Sequence, residues 1–433
     1  MKKLFLAFLA TGVVQIASFT SGIILARMLE AASRGEFAQI IAWFGFLGSI
    51  MAFGVNDSVT YYRSRNKDEG EEALSAALIL SVPLSAIGAL LCLGAILIVF
   101  TGWSAPSIGA AWLFLLFSPL YQWQQIFNSY YQSGRNAAVW TLVRVIPAVA
   151  YIVGLVLTVQ LGVADTFHFI AANVAGLVLM IAVSGTIFWL SGDRLKRPSS
   201  DMVGRVFRFG FPTVVQRIAS NCRDNFDRMV LPFIITNAAL GHYVVASSTA
   251  YLIYIAGMTV DLVGFPAMSR AADDDARRRI AEFLISITFC TLVVLVIVLA
   301  LVCEPVVLFL FGKEYESSIS LVPWFLVAGA AQALRIVIGG AFKSFNLSRS
   351  MARFELVGAA IMVAILLGTS SRLGVYAGVL AHMVSALVSL GMAFTTSVTV
   401  LKLSPRHMFL PRLADIVRVF GDFKAAFRAN KFS

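Results

Sequence analysis

Five charged side chains, Arg217, Arg223, Asp224, Asp227 and Arg228, crowd a short stretch between the apolar runs FGFPTVV and MVLPFII. Guanidinium groups carry planar donor forks that match phosphate and carboxylate oxygens, and neighbouring carboxylates can hold those forks or neutralise them. The flanks predict one membrane-spanning helix, so the charges fall near its middle, spread over about 16 Å of depth at the helical rise per residue. Each charge facing lipid at a helix centre costs ~2.5–3.5 kcal/mol, so five together cost roughly 12–17 kcal/mol. One segment cannot recover that. The charges must face a protein interior or a water-filled cavity, and function is expected there.

Spacing divides the cluster. Arg217, Asn221, Asp224 and Arg228 recur at steps of four, three and four and share one helix face, while Arg223 and Asp227 form a neighbouring stripe. Asp224–Arg228 and Arg223–Asp227 are spaced to pair within the helix, which leaves Arg217 without a local partner. Two readings stand. In one, the charges are a structural ion network that ties helices together. In the other, Arg217 faces a cavity and, with Arg223, Arg228 and Asn221, binds an anion such as pyrophosphate, while Asp224 and Asp227 hold the arginines or couple to an ion. Arg144, Arg335, Asp261, Gln332, Asn56 and Asp57 are isolated polar candidates for the cavity wall, although Asn56 and Asp57 equally suit the end of the second helix. The run YQWQQIFNSYYQ (121–132) fits an interfacial aromatic belt, or a lining on which sugar rings stack and hydrogen-bond.

The elements that must position these groups are helices in a membrane. The 433 residues are 59% hydrophobic and 13% charged, with mean hydropathy +0.84, against about 25% charged in soluble domains. Apolar runs long enough to cross a ~30 Å hydrocarbon core are expected at 4–26, 37–55, 74–100, 108–128, 138–161, 166–190, 206–234, 242–268, 280–303, 319–342, 354–371 and 375–400. The start MKKLFLAFLA has a signal-like charge pattern, but its uncharged run continues to Ala26 and predicts a retained first helix. With the N-terminus inside, 24 of the 34 Lys and Arg fall on cytoplasmic segments and four (Arg27, Arg34, Lys313, Arg372) on the opposite side. That bias predicts both termini in the cytoplasm. The net charge of +11 is therefore topological and not a nucleic-acid footprint.

Other chemistry is sparse. No nucleotide-binding G-x-x-x-x-G-K-[ST] and no H-E-x-x-H occurs, so neither an ATP site nor a zinc hydrolase is indicated. Asp273, Asp274 and Asp275 sit beside Arg277–Arg279 and read as a self-neutralising loop. His168, His242, His382 and His407 lack metal spacing, and Cys92, Cys222, Cys290 and Cys303 show no paired spacing. No cofactor and no catalytic residue is expected.

The expected fold is an all-α polytopic bundle of two six-helix halves, 1–195 and 196–401, followed by a basic amphipathic tail at 402–433 on the cytoplasmic leaflet. SGDRLKRPSSD (191–201) joins the halves. They share a short likeness at an offset of 206, MLEAASRGEF (28–37) against IITNAALGHY (234–243), aligning Gly35 with Gly241 and Phe37 with Tyr243. Six helices per half give both repeats the same orientation, related by a pseudo-two-fold along the membrane normal, with a binding site expected between them.

LARMLEAASRGEFAQ after the first helix, FGFPTVV at the seventh, NFDRMVLPFIITNAALGHYVVA, GFPAMSR and FLFGKEYESSISLVPWF occur in an order that resembles the polysaccharide exporter, Wzx-type flippase branch of the multidrug/oligosaccharidyl-lipid/polysaccharide (MOP) transporter superfamily. Asp227–Arg228 match its seventh-helix Asp and basic neighbour, and Pro212 a helix-opening proline; Glu30-Ala31-Ala32 departs from its Gly-Pro-Glu-like turn. The resemblance implies a MATE-like fold in a bacterial inner membrane. It also implies a flippase moving undecaprenyl-pyrophosphate-linked oligosaccharide between leaflets by alternating access, for O-antigen, capsule or exopolysaccharide. Implied partners are that lipid-linked glycan, membrane lipid, and glycan polymerase and assembly proteins. The competing readings are a drug/cation antiporter, a lipid II-type flippase, and a membrane glycan polymerase or glycosyltransferase. Three arginines against two aspartates in the seventh helix favour anionic cargo over a cation. The short non-cytoplasmic loops leave little room for an enzyme.

Overall fold

The computed structural model describes residues 2–100, 103–134, 136–269, 271, 273–345 and 347–411. Among the described residues the chain is helical throughout, with no strand. In order the α-helices are α1 (Lys2–Met28), α2 (Ala31–Met51), α3 (Val55–Arg65), α4 (Lys67–Val99), α5 (Ala105–Leu113), α6 (Phe117–Gln132), α7 (Ala137–Gln160) and α8 (Thr166–Leu190). There follow α9 (Ser200–Val230), α10 (Asn237–Ser269), α11 (Asp274–Leu301), α12 (Cys303–Phe311), α13 (Val322–Ser344), α14 (Ser348–Leu373), α15 (Val375–Thr399) and α16 (Pro405–Phe409). Among the described residues nine are long and apolar enough to cross a membrane, or ten spans if the bent pair α2–α3 counts as one. Of the other expected spans, 108–128 falls across α5 and α6, and 206–234 falls largely on α9. At 31 residues α9 has ample length, about 46 Å at the helical rise, but its charges depress its hydropathy.

Contacts divide the chain into two compact units, each described by itself. One comprises Met1–Ser248, Val307–Ser318 and Met362–Gly378; the other comprises Thr249–Val306, Ile319–Ile361 and Val379–Ser433. In the first, α7 packs on α1 and α8, α4 on α3 and α6, and α9 on α2, α3 and α4. Its aromatic core sets Phe44 against Phe114 at 5.2 Å and Phe100 against Trp103 at 4.1 Å. In the second, α11 packs on α13 and α16.

The second expected helix differs from its sequence reading in a way that matters. It does not stop near residue 55; it breaks after Met51, bends by 49° and resumes as α3 to Arg65. The break is local backbone chemistry. Phe53 and Gly54 take φ of 48° and 63°, a left-handed conformation free for glycine and costing roughly 1–2 kcal/mol for other residues. The carbonyl of Phe53 then lies directly against Gly210 of α9, where any Cβ would collide with it. Glycine at 210 is thus what lets α9 approach the break.

The joint between the sequence halves is clamped to the start of α4. Asp193 binds Lys67 at 2.7 Å and Arg63 at 3.5 Å and accepts from Tyr130 at 2.9 Å. Lys196 binds Asp68 at 2.6 Å, and Glu72 accepts from the Ser199 backbone and hydroxyl at 2.9 and 2.7 Å. Only the start of the expected tail is described. Phe409 of the short α16 packs on Phe289 at 4.9 Å, and the Ser404 amide donates to Glu282 at 2.7 Å. The rest of the expected amphipathic tail, from Arg412 onward, lies outside the described residues.

The offset of 206 has a structural counterpart. A Cβ on Gly35 would strike the carbonyl of Asn237, and a Cβ on Gly241 would strike the carbonyl of Ala31. Asn237 stands 206 residues after Ala31, as Gly241 does after Gly35, so the two helix starts touch reciprocally. Such an exchange of equivalent contacts is what a local two-fold produces. Asn237 is further bridged to α2 by Gln39 at 2.8 Å and Glu36 at 3.3 Å.

Two measurements follow. Gly35→Ala or Gly241→Ala, each driving a methyl into backbone, should lower stability by about 1–3 kcal/mol. Gly45→Ala, with open space around it, should not; unfolding of the purified protein in detergent discriminates them. For the joint, burial raises the Asp193 pKa, but hydrogen bonds from Lys67 and Tyr130 and the charges of Arg63 and Lys67 outweigh it, so the pKa is lowered overall. A lowered carboxylate pKa contributes stability that is complete above the unfolded value, about 3.9, and disappears as pH falls through the folded one. Limited proteolysis at 191–199 should therefore stay slow from pH 8 to pH 5 and accelerate only below about pH 4.

Candidate functional site

The break between α2 and α3 supplies the partner that spacing alone does not reveal. Arg217 is not unpartnered: its guanidinium donates to Asn56 Oδ1 at 3.0 Å and Asp57 Oδ2 at 2.9 Å. Asn56 and Asp57 open α3, so the Asp57 carboxylate also sits at a helix N-terminus, where partial positive charge favours it. Gly210 and Arg217 are two helical turns apart and meet the same break, one by its missing side chain and the other by its cation. The Asn56 amide extends the network to Ser129 of α6 at 3.4 Å, and the Asn221 amide donates back to the Arg217 carbonyl at 2.9 Å. The Arg217 and Asp57 side chains keep 23% and 41% exposure, so the pair is a wall group and not sealed core.

Toward the far end of α9 the pairing departs again from the sequence reading. Asp224 is bound by its immediate neighbour, Arg223, at 3.0 Å, and not by Arg228. The Arg228 guanidinium turns to Ser247 of α10, donating at 3.3 Å, and its Nε is buried with no partner among the described residues. Asp227 is buried and accepts from the Tyr243 hydroxyl at 2.5 Å. Tyr243 is fully buried in turn, and no Cβ could be added at Gly378 without meeting its ring. The matched pair Asp227–Arg228 therefore splits into a buried carboxylate that holds α10 and an arginine with spare donors.

Arg34 is the residue that sequence reasoning missed. Topology counts it among the charges of the opposite side, yet it lies in the first turn of α2 and only 6% of it is exposed. Its guanidinium makes no ion pair or hydrogen bond among the described residues, its Nε is buried, and its nearest support is the face of Phe37 at 5.6 Å. Arg34 lies within electrostatic reach of Arg228, Tyr151 and Tyr315. A buried guanidinium without a carboxylate normally carries a large desolvation penalty. The sequence reading sets it three residues before the span expected at 37–55, outside any helix, so its burial goes unseen.

A cavity of about 310 Å³ opens inside the first unit, lined by Ser18, Ser21, Tyr121, Gln124, Tyr151, Asn173 and apolar neighbours. The Tyr151 hydroxyl is buried with no partner among the described residues. Tyr151 lies within reach of the Arg34 charge and Tyr121 within reach of Arg217. The 121–132 run thus divides: Tyr121 and Gln124 face this cavity, whereas Tyr130 and Tyr131 are core and Trp123 is partly exposed, donating to Ser81 at 3.0 Å. The remaining candidates stand elsewhere. Arg144 lies over the Trp140 ring at 5.5 Å. Arg335 is buried in an ion pair with Glu355, and Asp261 faces Lys343 at 3.7 Å; both belong to the second unit. No group of three metal-binding side chains occurs among the described residues.

This geometry can be set beside known proteins. A family model, Polysaccharide biosynthesis protein, matches residues 1–272. The chain belongs to that family. No curated protein sequence matches it. Among solved structures it is similar to the lipid II flippase MurJ in an inward closed conformation, with a TM-score of 0.73 and 14% identity over 90% of this chain and 87% of that one. It is also similar to an inward-facing multidrug resistance MATE family transporter of the MOP superfamily, with a TM-score of 0.71 and 15% identity over 90% and 96%. A MOP superfamily transporter from Pyrococcus furiosus, described by a binding pocket of reverse polarity, gives a TM-score of 0.61 and 16% identity over 93% and 95%. The fold is that of the MOP transporters.

The Arg217–Asp57 contact is open to a direct measurement. A double-mutant cycle of Arg217→Ala and Asp57→Ala should show a coupling of about 1 kcal/mol in unfolding, reflecting the partial exposure of the pair. Zero coupling would mean that the two side chains do not interact.

Proposed function

We propose that this protein is a flippase that carries undecaprenyl-pyrophosphate-linked oligosaccharide across the bacterial inner membrane by alternating access. Both termini then lie in the cytoplasm, and the two six-helix halves, 1–195 and 196–401, act as its moving parts. Membership of the polysaccharide biosynthesis family and the MOP fold support the class, and the reciprocal contact of Gly35 and Gly241 supports a repeat. The observation that carries the anionic cargo is a pair of arginines with buried, unpartnered Nε atoms, the buried Arg34 and the half-buried Arg228. They lie within electrostatic reach of each other, and each has donors without a partner among the described residues. Two such guanidiniums repel until an anion lies between them, and a pyrophosphate supplies both charge and acceptor geometry.

In this reading Arg34 and Arg228 receive the pyrophosphate and Arg217 guides it along the wall of the break. Asp57 and Asp224 hold the arginines in place, and Asp227 ties α9 to Tyr243. Tyr121, Gln124, Tyr151 and Asn173 face the sugars. A drug/cation antiporter is the less favoured reading, because the unpartnered buried charge here is cationic.

The test uses purified protein in liposomes with a fluorescent lipid-linked oligosaccharide. Arg34→Ala and Arg228→Ala should each slow flipping at least about tenfold, a loss of ~1.4 kcal/mol in transport barrier, at unchanged protein level. Arg228→Lys should restore it only in part, since an ammonium keeps the charge but loses the fork. Wild-type rates in both alanine variants would sink the assignment.

A further inference from the structure

A second cavity, about 620 Å³, lies apart from the arginines of the preceding section, at the end of the first unit where α3 meets α4. It is lined by Arg63, Arg65 and Lys67 from that junction, Ser133 and Asn136 from the α6–α7 turn, and Ser191 and Asp193 from the start of the joint. The helices α4 and α7 both begin at its wall, capped by the side chains of Asn66 and Asn136, and their N-terminal dipoles add to its positive potential. Among the described residues of the lining, Asp193 is the only acidic one. Its carboxylate is already bound by Lys67, Arg63 and the Tyr130 hydroxyl, and it stays ionised at neutral pH.

Arg63 makes this cavity more than a solvated surface. Its guanidinium lies 3.5 Å from the centroid of the Tyr130 ring, and only one nitrogen, Nη2, reaches Asp193, at 3.5 Å. Nε and Nη1 are buried and have no partner among the described residues. The side chain is fixed from behind, because Gly70 of α4 packs so closely on Arg63 that a Cβ there would collide with its Cα and Cβ. A fixed arginine beside a second arginine, a lysine and two helix starts on one cavity wall is a phosphate-binding arrangement. The positive-inside count puts these residues on the cytoplasmic face, where anionic headgroups concentrate.

We propose that this cavity binds a phosphoryl group, presented either by the headgroup of an anionic phospholipid or by a soluble phosphate. Occupancy would join α3, α4, the α6–α7 turn and the joint between the sequence halves through one ligand. The site does not depend on what the protein transports.

The full-length protein is tested in detergent by native mass spectrometry and thermal unfolding, with added phosphatidylglycerol, phosphatidylcholine or inorganic phosphate. Saturable binding of phosphatidylglycerol at least tenfold tighter than phosphatidylcholine, without an effect of inorganic phosphate, assigns a lipid headgroup. Saturable stabilisation by inorganic phosphate assigns a soluble ligand. In either case the double variant Arg65→Gln/Lys67→Gln should weaken binding at least tenfold, and Arg217→Ala should leave it unchanged. Arg65 and Lys67 are exposed, so the double variant should keep the fold, whereas Arg63→Gln alters a side chain only 13% exposed. Equal binding of both lipids with no effect of phosphate, or wild-type affinity in the double variant, overturns the proposal.

Discussion

The geometry of the first unit hangs on one contact: a helix carrying charges through a membrane must be met by a backbone that can receive them. The receiver is the break at Phe53–Gly54. Its left-handed residues end α2 early, swing α3 by 49° and bring the Asn56 and Asp57 side chains to face α9. The carbonyl of Phe53 fits only because α9 has glycine at 210. Strain, missing side chain and ion pair are parts of one device, since without the bend Arg217 would have no carboxylate to reach.

Arginines on α9 then differ in what surrounds them. Arg217 donates through Nη2 to Asn56 and Asp57 and Arg223 is held by Asp224, whereas the Nε atoms of Arg228 and Arg34 are buried without a partner among the described residues. Unmatched buried donors cost free energy.

The sequence made the helical class, the apolar spans and the exceptional character of α9 legible, because hydropathy and charge are local quantities. The offset of 206 was also legible, and at Gly35 and Gly241 the structure places reciprocal contacts with Asn237 and Ala31. Pairing was less legible. Arg217–Asp57 spans 160 positions, and helical spacing can propose only partners three or four residues away. Asp224 shows the limit even locally: it met Arg223, one residue before it, because side-chain flexibility lets adjacent groups touch at a helix surface. Arg34 was misread because it lies just ahead of the expected span 37–55, and burial of a charge depends on elements far along the chain.

The charged C-terminal half of α9 also bears on how this protein is made. Membrane insertion of a new segment is a partition between an aqueous channel and lipid, and a helix with five such charges partitions poorly by itself. By the time α9 is synthesised, α2, α3 and α4 already exist, and they are the helices on which it packs. An entry into the bilayer against those earlier segments would offer Arg217 the Asp57 carboxylate in place of lipid. The order of elements along the chain, receiver first and charged helix afterwards, suits such an assembly.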